Sequence, residues 1–585
     1  MKKIISYLIL ITGLSFTCVA QEPLKYLGEL KPFWRNHPVL GPLLQTGVWI
    51  DKVPDYMLNT DFPYKKRPFD KEVLFADHLS VVRLMGGTFS YPGFKVADKS
   101  GVNEDGTMKV SKFDANDTES IKFLSQYDFV YRKEDGSLGF RPELIKQRLS
   151  PYINIGYTNF TIVLDDIPWA LRKNPMIGSF GQVGPADNPE EWYLTVRELC
   201  ATLKNILGQD KANKLRFRIG TEMNGKERFA GTEEQFITHF DYTASAIADV
   251  LPNANLGLYN ISAASIDNIK SVHNVNAFHV LEHAASGKNS KTGMFNKASP
   301  FVAASRYYSE KTDLNDIVGG IEKVWDFVRD SVPGNANFSR EIHEFGAIGD
   351  WNAKIKTQNP GAFGNAMNLT VVMNLHANGL DRLFLWNMLD KVPGTSDAEK
   401  FKVASSQLWG YSVLDYMAGG KAYQLIPEVK TKEINTIHTG LLSVFPNKAY
   451  VLLSAFNPDR LYSNSNTVTL KIPKKDLPFN IKSIKKATIN RENSIYDNIV
   501  ADTKKEGILN PLLENMPFYI PNFKDISNDS HKFISMIKTN WNTYETNWKD
   551  ALTLKDFKGT IVEDKTHYII NIEMGTPEST VLVLE

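Results

Sequence analysis

Eight short apolar runs, each followed by a longer stretch with helical spacing, constrain this 585-residue chain more than any other feature. The runs are TGVWI (46–50), LSVVRLMGG (79–87), NFTIVLDDIP (159–168), KLRFRIGTE (214–222), ANLGLYNIS (254–262), PFVAASRYYS (300–309), SREIHEFGA (339–347) and DRLFLWNM (381–388). In the fourth, Leu215, Phe217 and Ile219 alternate with Arg216 and Arg218, which is the period of a strand. The stretches between carry helix signals of their own. NPEEWYLTVRELCATLKNIL opens with Asn188 and Pro189, TEEQFITHFDYTASAIADVL opens with Thr232, DLNDIVGGIEKVWDFVRDSV stops before Pro333, and GNAMNLTVVMNLHANG stops at Gly379. AFHVLEHAA (277–285) reads as helix, which leaves 300–309 as the sixth strand. This alternation predicts the α/β class, specifically a (β/α)8 TIM barrel over residues 46–425.

Beyond residue 425 the pattern changes. GLLSVFPNKAYVLLSAFNP, NTVTLKIPKKD and the closing TIVEDKTHYIINIEMGTPESTVLVLE alternate apolar and polar residues between turns. They predict a C-terminal antiparallel β-sandwich domain over 426–585, to which the N-terminal segment 21–45 is a candidate extra strand. Residues 505–550 show no pattern that places them.

Residues 1–20 read as a cleaved signal peptide: Lys2 and Lys3, an apolar Ile4 to Leu14, then Cys18-Val19-Ala20. The apolar run is too short to span a bilayer, and no other stretch is long and apolar enough. The expected location is secreted or periplasmic. Acylation of Cys18 as a lipoprotein anchor is the rival, although Ser15-Phe16-Thr17 departs from a lipobox. The remaining cysteine, Cys200, sits in a helical stretch as a small buried hydrophobe, so the mature chain has no intrachain disulfide. The 67 basic and 66 acidic side chains nearly cancel, which argues against nucleic acid or an anionic membrane as partner. The sequence has no Cys/His cluster with zinc spacing and no glycine-rich phosphate loop, so the expected chemistry needs no metal or cofactor.

A barrel of this kind places its chemistry at the C-terminal ends of its strands. Glu222 ends the fourth strand and Glu344 the seventh. Those strands lie on opposing sides, so the two carboxylates can converge. Such a pair suits glycoside hydrolysis, in which one carboxylic acid protonates the leaving oxygen and the other carboxylate attacks the anomeric carbon. A separation of about 5–5.5 Å corresponds to retention and roughly 6.5–9.5 Å to inversion.

A glutamate after strand four and another after strand seven resembles the clan A glycoside hydrolases. The finer pattern resembles glycoside hydrolase family 39 in strand order, in the pairing of barrel and sandwich, and in the phrase after strand five. Phe301-Val302-Ala303-Ala304-Ser305-Arg306-Tyr307 is similar to that family's sixth strand. The resemblance implies that Glu222 is the acid/base, Glu344 the nucleophile and Tyr307 its partner. It also implies that Arg83 supports the nucleophile and that Trp386 forms a platform under the sugar. Three positions depart from the pattern. Thr221 stands where the clan has Asn, Ser305 where the family has His, and Arg83-Leu84-Met85-Gly86 where the family has Arg-x-His-Gly.

Around the pair, Thr221, Asn224, Arg228, Arg306 and either Asp165 or Asp166 are further substrate-binding candidates, with Asp166 preferred. Arg83 reads equally as an ion-pair partner, and Trp49 and Trp169 as core. His343 is expected to point away from the nucleophile into the barrel wall, as a satisfied structural histidine. Lys65-Lys66-Arg67, Lys226, Arg228 and Arg306 form either a solvated rim or a cleft for an anionic sugar, where arginine pairs bidentately with sulfate or carboxylate. The expected function is a secreted retaining glycoside hydrolase acting on a β-linked polysaccharide or oligosaccharide, with an anionic galactan such as carrageenan or porphyran preferred. The alternatives are a β-xylosidase-like exo-glycosidase and a non-catalytic surface glycan-binding protein, the latter motivated by Thr221 and Ser305.

Overall fold

The computed structural model describes residues 24–29, 34–38, 81–85, 97–102 and 108–110. From 128 to 585 it describes all but 155–158, 165–166, 179–180, 226–227, 262–273, 309–311, 336, 348–360, 386–388, 394–399, 405, 432–433 and 509–529. Eight parallel strands form one sheet and succeed one another in chain order. They are β1 Trp34–Pro38, β2 Val81–Met85, β3 Asn159–Val163, β4 Arg216–Arg218, β5 Asn255–Gly257, β6 Phe301–Tyr308, β7 Ser339–Ala347 and β8 Arg382–Leu385. β8 pairs with β1. The remaining edges are joined just beyond β5, where Ile261 N donates to Ala303 O at 3.0 Å and Ser305 N donates to Ile261 O at 2.8 Å. Backbone pairing therefore continues around the whole set of strands.

The expected first strand, 46–50, lies outside the described residues. The place between β2 and β8 is taken by Trp34–Pro38, which the sequence reading grouped with the N-terminal segment. Its Arg35-Asn36-His37 core has no apolar alternation, so periodicity gives no sign of it.

The helices begin where their caps predict. In α1, Pro189–Leu207, Asn188 Oδ1 accepts from Glu190 N at 3.0 Å, with Pro189 in the first turn. In α2, Glu233–Val250, Thr232 Oγ1 accepts from Gln235 N at 3.2 Å, and the Gln235 side chain accepts from Thr232 N at 2.9 Å. Each cap satisfies otherwise orphaned donors and contributes about 1 kcal/mol. Helices α3, Ala277–Ser286, and α4, Leu314–Ser331, follow β5 and β6. The outward residues Ile162, Leu215, Phe217 and Ile219 pack with Trp192, Leu199, Cys200 and Phe240 of α1 and α2, all in one buried cluster. Burial pushes the Cys200 thiol well above its ordinary range, as expected of an inert core residue.

Helix α5, Gly361–Ala377, is buried on nearly every face, because a second unit covers the side that the strands leave open. That unit holds two antiparallel sheets. One has seven strands in the order Leu24–Glu29, Lys421–Leu425, Ile437–Val444, Ala449–Phe456, Glu578–Leu584, Ile484–Asn490 and Lys555–Asp556. The other runs Glu428–Val429, Asn464–Pro473, His567–Thr576 and Thr560–Glu563. Leu442, Val451, Leu453 and Leu582 of the first share a core with Val468, Leu470, Ile570 and Ile572 of the second. The N-terminal strand Leu24–Glu29 pairs antiparallel with Lys421–Leu425, a strand the sequence reading placed with the parallel set. Within 505–550, which showed no sequence pattern, the chain forms most of the helix Ser530–Leu552, anchored by buried Trp541, Tyr544 and Trp548. No helix among the described residues is long and apolar enough to cross a membrane.

Candidate active site

The space enclosed by the parallel strands is lined partly by charge. Arg216 and Arg218 on β4 face Glu341 and His343 on β7. Arg216 donates to Glu341 Oε1 at 2.6 Å, His343 Nε2 lies 2.7 Å from Glu341 Oε2, and Arg218 lies 3.2 Å from His343 Nδ1. Phe301 of β6 lies under the Arg216 guanidinium, 4.4 Å from its centre. Closed eight-stranded parallel barrels usually fill their interior with branched apolar side chains. Here a fully buried carboxylate is matched by cations. Burial alone would raise the Glu341 pKa, but Arg216, the His343 hydrogen bond and Arg382 together hold it down to about 2.

A bulge sets the direction of Glu344. β7 pairs Ile342 with Ala304 and then Glu344 with Ser305, so His343 is the extra residue. Strict alternation would send His343 and Glu344 to opposite faces. With the bulge, Glu341, His343 and Glu344 all point inward. His343 is a satisfied structural histidine, as expected, but its direction is corrected: it faces inward and bridges Arg218 and Glu341.

At the end of β4 the backbone turns sharply. Gly220 has φ +71° and Glu222 φ +50°, the left-handed region that costs a non-glycine residue of order 1 kcal/mol. The turn is closed by Gly225 N donating to Glu222 O at 3.2 Å, and it directs the Glu222 side chain toward the end of β6. Glu222 and Glu344 approach closely enough to influence each other's charge. Burial first, and then the negative charge of Glu344, raise the Glu222 pKa above the ordinary carboxylate value. The Ser305 hydrogen bond, Arg228 and Arg218 oppose the rise. Arg228 lies 4.0 Å from Glu222 Oε2. Glu344 is buried, and it accepts from the Tyr307 hydroxyl at 2.9 Å and from Asn260 Nδ2 at 3.3 Å. The site thus holds one carboxyl biased toward keeping its proton and one that faces two donors.

The other expected residues divide. Thr221 is buried, and its hydroxyl accepts from Arg218. Asn224 is buried in the turn after Glu222. Arg306 is not brought to the site. It alternates with Ser305 and Tyr307 and donates outward to Asp316 O of α4 at 3.0 Å. Tyr308 likewise faces outward and bonds Asn368 of α5. Arg83 lies in β2 in register with Asn36 and Thr161. Asp165, Asp166, Lys226 and Trp386 lie outside the described residues, as do Trp49 and Lys65–Arg67, while Trp169 is buried. Sequence reasoning missed Asn260 and Arg218, and read Ser305 only as a departure. Asn260 sits just past a strand end, as Glu222 does, and that position was the available signal.

No protein-family model matches the chain. Over 304 residues it is 24% identical to an α-1,4-L-rhamnosidase of Formosa agariphila. The match takes in 50% of this chain, which spans only 58% of that relative's length. Among solved structures, a GH39 enzyme from Xanthomonas axonopodis pv. citri superposes with a TM-score of 0.57 at 11% identity, covering 95% of this chain and 94% of that one. A GH39 β-xylosidase from Caulobacter crescentus gives 0.55 at 11% identity, covering 96% and 98%. The chain has the fold of glycoside hydrolase family 39 enzymes, and its resemblance to clan A holds at that level.

Proposed function

We propose that this chain is a retaining O-glycoside hydrolase, a (β/α)8 barrel carrying a C-terminal β-sandwich, exported by its N-terminal signal peptide. The observation that carries the reading is the asymmetry of the glutamate pair. Glu222, with its pKa raised by burial and by Glu344, is suited to donate a proton to the glycosidic oxygen. Glu344, held by Tyr307 and Asn260, is suited to attack the anomeric carbon and form a glycosyl-enzyme ester. Glu222, then ionised, takes a proton from water as that water cleaves the ester, which restores both groups.

The substrate reading rests on the relative. An α-1,4-linked L-rhamnoside is the first candidate, supported by the rhamnosidase match. The sulfated galactan preference drew on basic residues near the site. With Arg306 turned to α4, it keeps Arg228 as its support among the described residues. A β-xyloside is favoured by the likeness to a GH39 β-xylosidase.

The test is a hydrolysis screen of aryl α-L-rhamnoside, aryl β-D-xyloside, rhamnose-containing polysaccharide, carrageenan and porphyran, with wild type beside Glu222→Gln and Glu344→Gln. Turnover should fall at least about a thousandfold in Glu344→Gln, the scale of a lost nucleophile. Azide should restore part of it to Glu222→Gln on substrates with good leaving groups. Activity that survives both substitutions sinks the assignment. Binding of one glycan without any cleavage by the wild type favours the glycan-binding alternative.

A further inference from the structure

The two glutamates come from strands on opposite sides of the set, and one side chain reaches toward both. Asn260, fully buried just beyond β5, gives one Nδ2 hydrogen to Glu344 Oε1 at 3.3 Å and the other to Ser305 Oγ at 2.6 Å. Its Oδ1 accepts from the Glu222 amide nitrogen at 3.4 Å. The backbone is tied at the same place, where Thr221 bridges Asn260. A carboxamide has two N–H donors and one acceptor oxygen, and each is engaged here. The Ser305 oxygen accepts from Asn260, which leaves its single hydrogen for another acceptor, and the Ser305 hydroxyl acts on Glu222 in the direction that favours the ionised carboxylate.

We propose that Asn260 and Ser305 form a two-residue bridge that positions both carboxylates of the pair. The proposal rests on the reading of Glu222 and Glu344 as the working pair. Both bridge members are positioning residues. Ser305 acts on Glu222 through its hydroxyl, whereas Asn260 acts through that hydroxyl, through the Glu222 amide and through Glu344, whose charge Glu222 feels. The other charged groups around Glu222 among the described residues are Glu344 from β7, Arg218 from β4 and Arg228 from its own loop, with the Tyr307 phenol from β6 on Glu344. The substitutions below leave all of them in place.

The experiment is a pH titration of the full chain carrying glutamate labelled with carbon-13 at the side-chain carboxyl. It is followed by NMR, with the Glu222 signal assigned by its loss in Glu222→Gln. Ser305→Ala removes a donor that favours the ionised form, so the Glu222 midpoint should rise by about one unit, the scale of one hydrogen bond to a charged group. Ser305→Thr keeps a hydroxyl and should leave the midpoint near that of wild type. Asn260→Ala should raise it by a smaller amount, since the freed hydroxyl can rotate away. A purely packing role for Asn260 would lower Tm and leave the midpoint where it was. A midpoint unmoved by Ser305→Ala, or shifted as far by Ser305→Thr as by Ser305→Ala, overturns the proposal. If Asn260→Ala does not fold, the Ser305→Ala and Ser305→Thr pair still decides. The titration needs no substrate, so failure of the catalytic reading would show separately, as turnover that persists in Glu222→Gln.

Discussion

Glu341 shows how a single residue ties stability to pH in this molecule. Its carboxylate is fully buried, yet Arg216, His343 and Arg382 hold its pKa at about 2, against a reference of 4.5. A carboxylate whose folded pKa lies below its unfolded value stabilises the fold above the unfolded pKa and loses that contribution as pH falls toward the folded one. The difference corresponds to about 3 kcal/mol at neutral pH, lost progressively between about pH 5 and pH 2. Glu341→Gln leaves the half-buried Arg216 and Arg382 facing a neutral partner, which costs up to roughly 3 kcal/mol, less than for fully buried charges. Chemical denaturation at pH 7 should show that loss. The same measurement at pH 3 should show a much smaller gap between variant and wild type. An equal gap at both pH values would mean that Glu341 is not ionised in the folded protein. The same residue marks a limit of sequence reading. The alternation in KLRFRIGTE and SREIHEFGA indicates which residues leave the outer core. It does not indicate that Arg216 would meet Glu341 across 125 positions of chain.

Among the elements, strand ends were legible and irregularities were not. Glu222 and Glu344 could be singled out because Glu222 follows an apolar alternation and Glu344 lies in the C-terminal half of its strand, and that end of the strands is a geometric address. The bulge at His343 adds one residue without any change of composition, so strict period-two counting assigned that histidine to the wrong face. Trp34–Pro38 escaped notice because its place is secured by neighbours on both sides rather than by an apolar pattern of its own. Helix α5 shows a related effect. Its start depends on Asp497, nearly buried in the second unit, whose carboxylate accepts from Ala362 N at 2.8 Å and so caps the helix from 135 residues away. Gly361 opens the helix at φ +70°, and a Cβ there would collide with that carboxylate. Asp497→Ala should therefore cost about 1–2 kcal/mol as a lost cap, and Gly361→Ala at least as much through backbone strain and the collision. Urea midpoints would measure both. A Gly361→Ala variant as stable as wild type would show that α5 starts without Asp497.

On the scale of the whole molecule, the parallel strands and the antiparallel sheets are joined through α5 rather than through a linker. One face of the helix meets β7 and α4, and the other meets the strands 437–444, 449–456 and 578–584. Ala366, Leu369, Val372 and Met373 are all buried, and Ser454 Oγ donates to Ala366 O at 2.8 Å while Asn365 donates to Ser579 at 3.1 Å. The strand Leu24–Glu29 adds a second tie, since the chain runs through the antiparallel sheet there before it enters the parallel one. Removing the second unit would expose an all-round apolar helix. Each Leu, Val or Met side chain returned to water costs about 1.5–3 kcal/mol, so even a few of them rival the net stability of a typical domain, roughly 5–15 kcal/mol. The full chain should therefore unfold in one calorimetric transition, with calorimetric and van't Hoff enthalpies in agreement. A chain ending before Lys421 should bind a hydrophobic dye and lose its near-ultraviolet circular dichroism. Two separated transitions, or a soluble and fully ordered truncated chain, would mean that α5 is held by the parallel strands alone and that the second unit is an appendage to the site rather than part of what holds β7, and with it Glu344, in place.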